Sequence, residues 1–203
     1  MDQIEAFILA GGASSRMGTD KARLILEDKT FVERISLTLN GFTSRVVIVG
    51  QQSEDFRLES VPDIHPKWGA LGGIETALTN CQTEWAFVIA CDLPFVTTDL
   101  CRRLTTFRQH NDAVVPIQPD LIPQPLCALY KVQPCLARVK LLIETGLRRP
   151  LDLLESVNTK WVPFAEIEDL PGAQNFFVNI NTPEDYYDAS RKGTTGGDLT
   201  DRS

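Results

Sequence analysis

"IEAFILAGGASSRMGTDKARLIL", residues 4–26, leaves an apolar run through two glycines, a pair of serines and one arginine before apolar sequence resumes. The run 4–10 has the continuous, β-branched character of a strand buried on both faces. So have "SRVVIVG" (44–50) and "TEWAFVIAC" (83–91), with "DAVVPIQ" and "PLCALYK" (125–131) as weaker strands. Helical patterns alternate with them. "TFVERISLTLNGF" opens on a capping box, Thr30 and Glu33, and stops near Asn40 and Gly41. "TTDLCRRLTTFRQ" sets Leu100, Leu104 and Phe107 on one stripe with Arg102 and Arg103 off it. "PCLARVKLLIETG" has proline at its start and glycine past its end, and "NTPEDYYDA" has Thr182 as cap and Pro183 in its first turn. Alternation at this spacing predicts βαβ units: a mostly parallel sheet in a Rossmann-like α/β fold, helices on both faces, in a single domain.

Composition narrows the function. The 203 residues are 43% hydrophobic and 23% charged, ordinary for a soluble globular domain. A net charge of −7 argues against a nucleic-acid or anionic-membrane partner. No apolar run approaches the roughly 20 residues of a membrane helix, and the start has no basic leader of a secretory signal. The five cysteines, an odd number without a C-x-x-C pair, read as reduced thiols of a cytoplasmic protein, acting as small apolar fillers. Only His65 and His110 are present, which disfavours a histidine-based mechanism and leaves oxygen ligands and phosphate chemistry.

In an open parallel sheet, ligands bind beyond the carboxyl ends of the strands, where the loop 10–21 falls. Gly11 and Gly12 let the backbone aim N–H groups at an anion, and Arg16 and Lys21 add positive charge. It is not a Walker A loop, since five residues separate Gly12 from Gly18, nor is it G-x-G-x-x-G. The plain alternative is a glycine turn with two exposed cations. Asp92 lies just past the strand in "WAFVIACDLPFV", placed to hold Mg²⁺ together with substrate phosphates; alone it also reads as a turn aspartate. "VPDIHPKWGALGGIETAL" puts Asp63 after a short strand-like piece, His65 in a loop, and Gly69, Gly72 and Gly73 ahead of a helix at Ile74, as a second flexible loop on the same rim.

"LAGGASSRMGTDKARL" (9–24), "GALGGIETAL" (69–78) and "CDLPFVTTDL" (91–100) resemble the signature segments of molybdenum cofactor guanylyltransferases, the MobA-like nucleotidyltransferase family; "PLCALYK" and "FVNINTPEDY" (177–186) fall at its later segments. The resemblance spans about residues 4–190. It implies a nucleotidyltransferase domain over 1–190, with 191–203 a disordered tail. The implied reaction takes GTP and Mg²⁺ and transfers GMP to the terminal phosphate of Mo-molybdopterin, releasing pyrophosphate. By the same resemblance the nucleotide side falls on Leu9, Ala10, Gly11, Gly12, Lys21, Asp63 and Asp92, with Asp92 the Mg²⁺ ligand and Arg16, Lys21 and Asp92 the catalytic set. The pterin side falls on Arg148, Arg149, Asn179 and Asn181, although "GLRRPLDLL" also reads as a helix entrance with two solvated cations. Transient contact with cofactor-delivery or acceptor molybdoenzymes is a further expectation. The family's asparagine after the second strand is missing, Val49 or Gly50 standing in its place. A CTP-dependent molybdopterin cytidylyltransferase and a non-catalytic nucleotide-binding adaptor remain the alternatives.

Overall fold

β1 (Ile4–Leu9) is flanked on both sides by parallel strands, β4 (Arg45–Val49) and β6 (Trp85–Ala90), and every one of its residues is buried. The computed structural model describes residues 4–11, 24–26, 28–50, 58–180 and 184–186. The seven-stranded sheet runs β5-β4-β1-β6-β8-β7-β9, with β5 Glu59–Val61, β7 Ala113–Pro116, β8 Cys127–Lys131 and β9 Thr159–Val162. β8 alone runs against its neighbours β6 and β7. The expected Rossmann-like fold, mostly parallel and a single domain, is therefore present. A two-stranded hairpin, β2 (Ile25–Leu26) and β3 (Lys29–Thr30), precedes the first helix.

Alternation along β1 divides the core. Ile4, Ala6 and Ile8 face the helices α1 (Phe31–Asn40) and α3 (Thr98–Thr105), whose Val32, Ile35, Leu39, Leu100 and Leu104 are buried against them. Phe7 and Leu9 face α2 (Gly69–Asn80), α4 (Val132–Glu144) and α5 (Pro150–Glu155). Period-2 side chains on a strand require this two-sided cover. The capping box holds: Thr30 Oγ1 accepts from Glu33 N–H at 3.2 Å, and the Glu33 carboxylate accepts from Thr30 N–H at 2.7 Å. That backbone hydrogen bond keeps the Glu33 carboxyl below its usual pKa. α3 ends before Phe107, which still packs on the core beside the Leu100–Leu104 stripe.

One reading is corrected. Gly69, Gly72 and Gly73 are not a loop ahead of a helix at Ile74; they form the first turns of α2. Glycine is a poor helix former, but tertiary packing decides here. A Cβ on Gly73 would lie 3.0 Å from Leu9 Cδ1, so the bare helix surface lets α2 settle onto β1. Their place on the rim stands, because α2 starts after the carboxyl end of β5. α4 begins two residues ahead of its proline, at Val132.

None of the five cysteines forms a disulfide, and four are buried. Burial pushes the Cys135 thiol up to about 12 and raises Cys101 and Cys127 as well, which keeps them protonated and inert. Among the described residues no helix is long and apolar enough to cross a membrane. Thr182, Pro183 and the tail 191–203 lie outside the described residues. Removing the cap with Thr30→Ala is expected to lower stability by about 1 kcal/mol, measured as a shift in the urea midpoint followed by far-UV circular dichroism.

Candidate active site

Strand order reverses about β1: α1 leads outward to β4, whereas α2 returns across to β6. The crevice at such a switch point is where an open α/β sheet accepts a ligand. Four chain segments meet there. Ala10 N–H donates to Val49 O at 3.0 Å, Gly50 N–H to Val61 O at 2.9 Å, and Cys91 N–H to Leu9 O at 3.1 Å. The carboxyl ends of β4, β5, β1 and β6 are thereby stitched side by side.

Gly11, Gly50 and Asp63 are packed more closely than any side chain would allow. A Cβ on Gly11 would stand 2.7 Å from Asp63 Oδ2 and 3.1 Å from Gly50 Cα. One on Gly50 would stand 2.7 Å from Gly11 Cα and 2.9 Å from both Gly11 N and Asp63 Oδ2. Gly50 also has φ +91°, a conformation that L side chains rarely adopt. The Asp63 carboxylate is thus seated over the backbone of the first loop, and its burial holds its pKa above the usual value. The missing asparagine is explained in part: Val49 is only 1% exposed and faces the core on the α2 side. It offers the rim nothing polar.

Asp92 is half-buried beyond β6, and its backbone carbonyl accepts from Ile180 N–H at 3.1 Å. Ile180 is itself pinned in a small cluster with Leu26 and Phe31. Asn179, exposed, is carried to the Asp92 end of the rim by this contact. Arg148 and Arg149 lie at the entrance of α5, as the sequence allowed. The Arg148 guanidinium lies 4.6 Å from the centroid of the Trp68 ring, and Arg149 Nε is 3.9 Å from Asp152 Oδ1. Trp68 immediately precedes α2, so this pair also belongs to the carboxyl edge. His65, read as a loop residue, has Nε2 3.3 Å from the Glu75 carboxylate. Gly12, Arg16, Lys21 and Asn181 lie outside the described residues. Sequence reasoning assigned no role to Gly50 or Trp68. A glycine directly after a buried parallel strand was the available signal for the first; nothing local marked the second.

A family model described as the MobA-like NTP transferase domain matches residues 6–158. The chain belongs to this family. The matched span takes in Leu9, Asp63, Asp92 and both arginines, while Asn179 and Asn181 lie past it. A probable molybdenum cofactor guanylyltransferase of Clostridium perfringens is 32% identical over 197 residues, covering 92% of this chain and 96% of its own. The molybdenum cofactor guanylyltransferase of Vibrio parahaemolyticus is 32% identical over 184 residues, covering 88% and 90%. Among solved structures, molybdopterin-guanine dinucleotide biosynthesis protein A from Archaeoglobus fulgidus superposes with a TM-score of 0.81 at 26% identity, covering 94% of this chain and 98% of that one. As these relatives align beyond residue 158, the later segments share the family's architecture too.

Two outcomes follow for the MobA-like rim. Gly50→Ala is expected to displace Gly11 and Asp63 and weaken nucleotide binding at least tenfold by isothermal titration, with the far-UV spectrum retained. Asp63 binds its proton more tightly folded than unfolded, so it lowers stability as pH rises from about 3.8 through its folded value, and still does so at pH 7. Asp63→Asn should therefore raise the melting temperature at pH 7 and flatten its fall above pH ~4, while nucleotide affinity drops.

Proposed function

We propose that the protein transfers GMP from GTP to the terminal phosphate of Mo-molybdopterin. An acceptor phosphate oxygen forms a bond to the α-phosphorus as the bond from that phosphorus to the α–β bridging oxygen breaks, and pyrophosphate leaves with the electron pair. The observation that carries this reading is the convergence of Gly11, Gly50, Asp63 and Asp92 at the switch point of the sheet, in a chain of the MobA-like family. The relatives named as guanylyltransferases supply the choice of guanine and of the molybdenum cofactor.

The residue types suit the chemistry. A phosphate acceptor is already ionised at neutral pH, so no strong general base is needed. The barrier is the approach of an anion to a polyanion, which positive groups and N–H dipoles lower. Gly11, free of a side chain, lets its loop come close to a triphosphate, and Arg16 and Lys21 would neutralise it. Asp63 would orient the nucleoside from the opposite side of Gly11. Arg148, Arg149, Asn179 and Asn181 would receive the acceptor.

The donor set also fits Mg²⁺. That ion uses one or two protein carboxylates and completes its shell with phosphate oxygens and water. Among the described residues no group of three or more His, Cys, Asp or Glu could hold a metal unaided. Asp92 would therefore hold Mg²⁺ only together with the nucleotide. When bound, the ion supplies positive charge against the triphosphate.

Pyrophosphate release from each of the four NTPs in the presence of Mo-molybdopterin tests the assignment. GTP is expected to be preferred. Preference for CTP would make the protein a cytidylyltransferase, and no release with any nucleotide would make it an adaptor. Lys21→Ala and Asp92→Ala should each lower turnover about 10²–10³-fold with the fold intact; wild-type rates in either would overturn its role.

A further inference from the structure

A chain of contacts runs from the interior of α2 to an exposed arginine at the rim. Glu75 is buried, 4% exposed, on α2, and its Oε2 lies 3.3 Å from His65 Nε2. His65 also accepts from Trp68 N–H through its backbone carbonyl at 3.2 Å, and the two rings stand 6.2 Å apart. Trp68 sits down on α2 at Gly72, where a Cβ would come within 2.7 Å of Trp68 Cβ. Over the Trp68 ring lies the guanidinium of Arg148, 4.6 Å from the ring centroid. The loop 62–68 is further fixed where Ile64 N–H donates to Thr76 Oγ1 at 3.1 Å.

Arg148 is otherwise exposed, in a turn that follows Gly146. A free arginine side chain there would sample many rotamers, and an anion binding it would bear the cost of ordering it. Held over Trp68, the guanidinium is a localised cation next in sequence to Arg149, exposed to an incoming anion.

We propose that Trp68 is a positioning residue for the acceptor: it pre-orders Arg148 to receive the phosphate monoester of the acceptor, and so ties the α5 entrance to the loop that carries Asp63. This rests on the guanylyltransferase reading above and adds to it the residue that organises the acceptor side. The Trp68 ring is not a catalytic residue in this account, since it touches the arginine and not the substrate.

The test measures KM for Mo-molybdopterin and for GTP separately, by pyrophosphate release, in wild type, Trp68→Leu, Arg148→Gln and the double variant. Cation–π contacts at exposed to partly desolvated sites are of the size that changes affinity about three- to tenfold. Trp68→Leu is expected to raise the acceptor KM by about that factor, with kcat and the GTP KM within about twofold. Arg148→Gln, which removes both the contact with Trp68 and the cation itself, should raise it at least as much. In the double variant the two effects should not multiply, because without Arg148 there is no cation left for Trp68 to hold. Trp68→Phe, which keeps an aromatic face and guards against misfolding of the leucine variant, should recover most of the loss. A melting-temperature change alone, multiplied effects in the double variant, or equal rises in both KM values would overturn the proposal and leave Trp68 a purely structural residue. A wild-type protein that releases no pyrophosphate would overturn the assigned function itself, and the role of Trp68 with it.

Discussion

The rim depends on one close approach. Gly11 and Gly50 come so near each other that neither can carry a β-carbon, and Asp63 fills the space that such a carbon would have taken. β1 and β4 are parallel neighbours paired through Leu9 and Val49, so their next residues must diverge or touch. They touch, because Gly50 turns into the left-handed region and returns its N–H to Val61. β5 is thereby kept in register with β4, and the residues after it are delivered to the mouth of the crevice. A larger residue at position 50 would push β5 and its aspartate away from the loop after β1.

This arrangement carries a cost that fits a binding site better than a packing device. A carboxylate pressed over backbone, with its pKa raised by burial alone, destabilises the folded chain at neutral pH. Glu5 is 4% exposed but bonded to Arg45 and to the Gln82 N–H, at the amino end of the sheet where no ligand is expected. In the proposed reaction the Asp63 carboxylate would meet the nucleotide, whereas Glu5 at the opposite end is already neutralised by the chain.

Much of this was legible in the sequence. β1, β4 and β6 are continuous apolar runs, and a strand buried on both faces has no other appearance. The capping box at Thr30 and the aspartate after β6 are local signals, and local signals survive folding. The glycines at 69, 72 and 73 were misread because propensity favours a loop, while the deciding fact is the distance from α2 to Leu9, in a segment some sixty residues earlier. Arg148 on Trp68 was illegible for the same reason. Eighty residues separate them, and neither flank announces the other.

In the proposed reaction, the lack of the family's asparagine at the end of β4 would leave recognition to the groups around it. An asparagine there would offer an amide to the nucleotide, whereas Val49 turns into the core beneath α2 and seals the sheet. Among the described residues, the polar groups at that corner are the backbone of Gly11 and Gly50 and the carboxylate of Asp63. Backbone N–H groups read charge and shape, and an ionised carboxylate only accepts. In the proposed reaction the corner would thus select for donors on the nucleoside, with ribose hydroxyls or ring N–H groups the available kinds. Side-chain amides, which both donate and accept, would tolerate more bases than such a corner. In that reading a corner of glycines and one acid would be the narrower filter, its selectivity set by how rigidly Gly50 holds Asp63 in place.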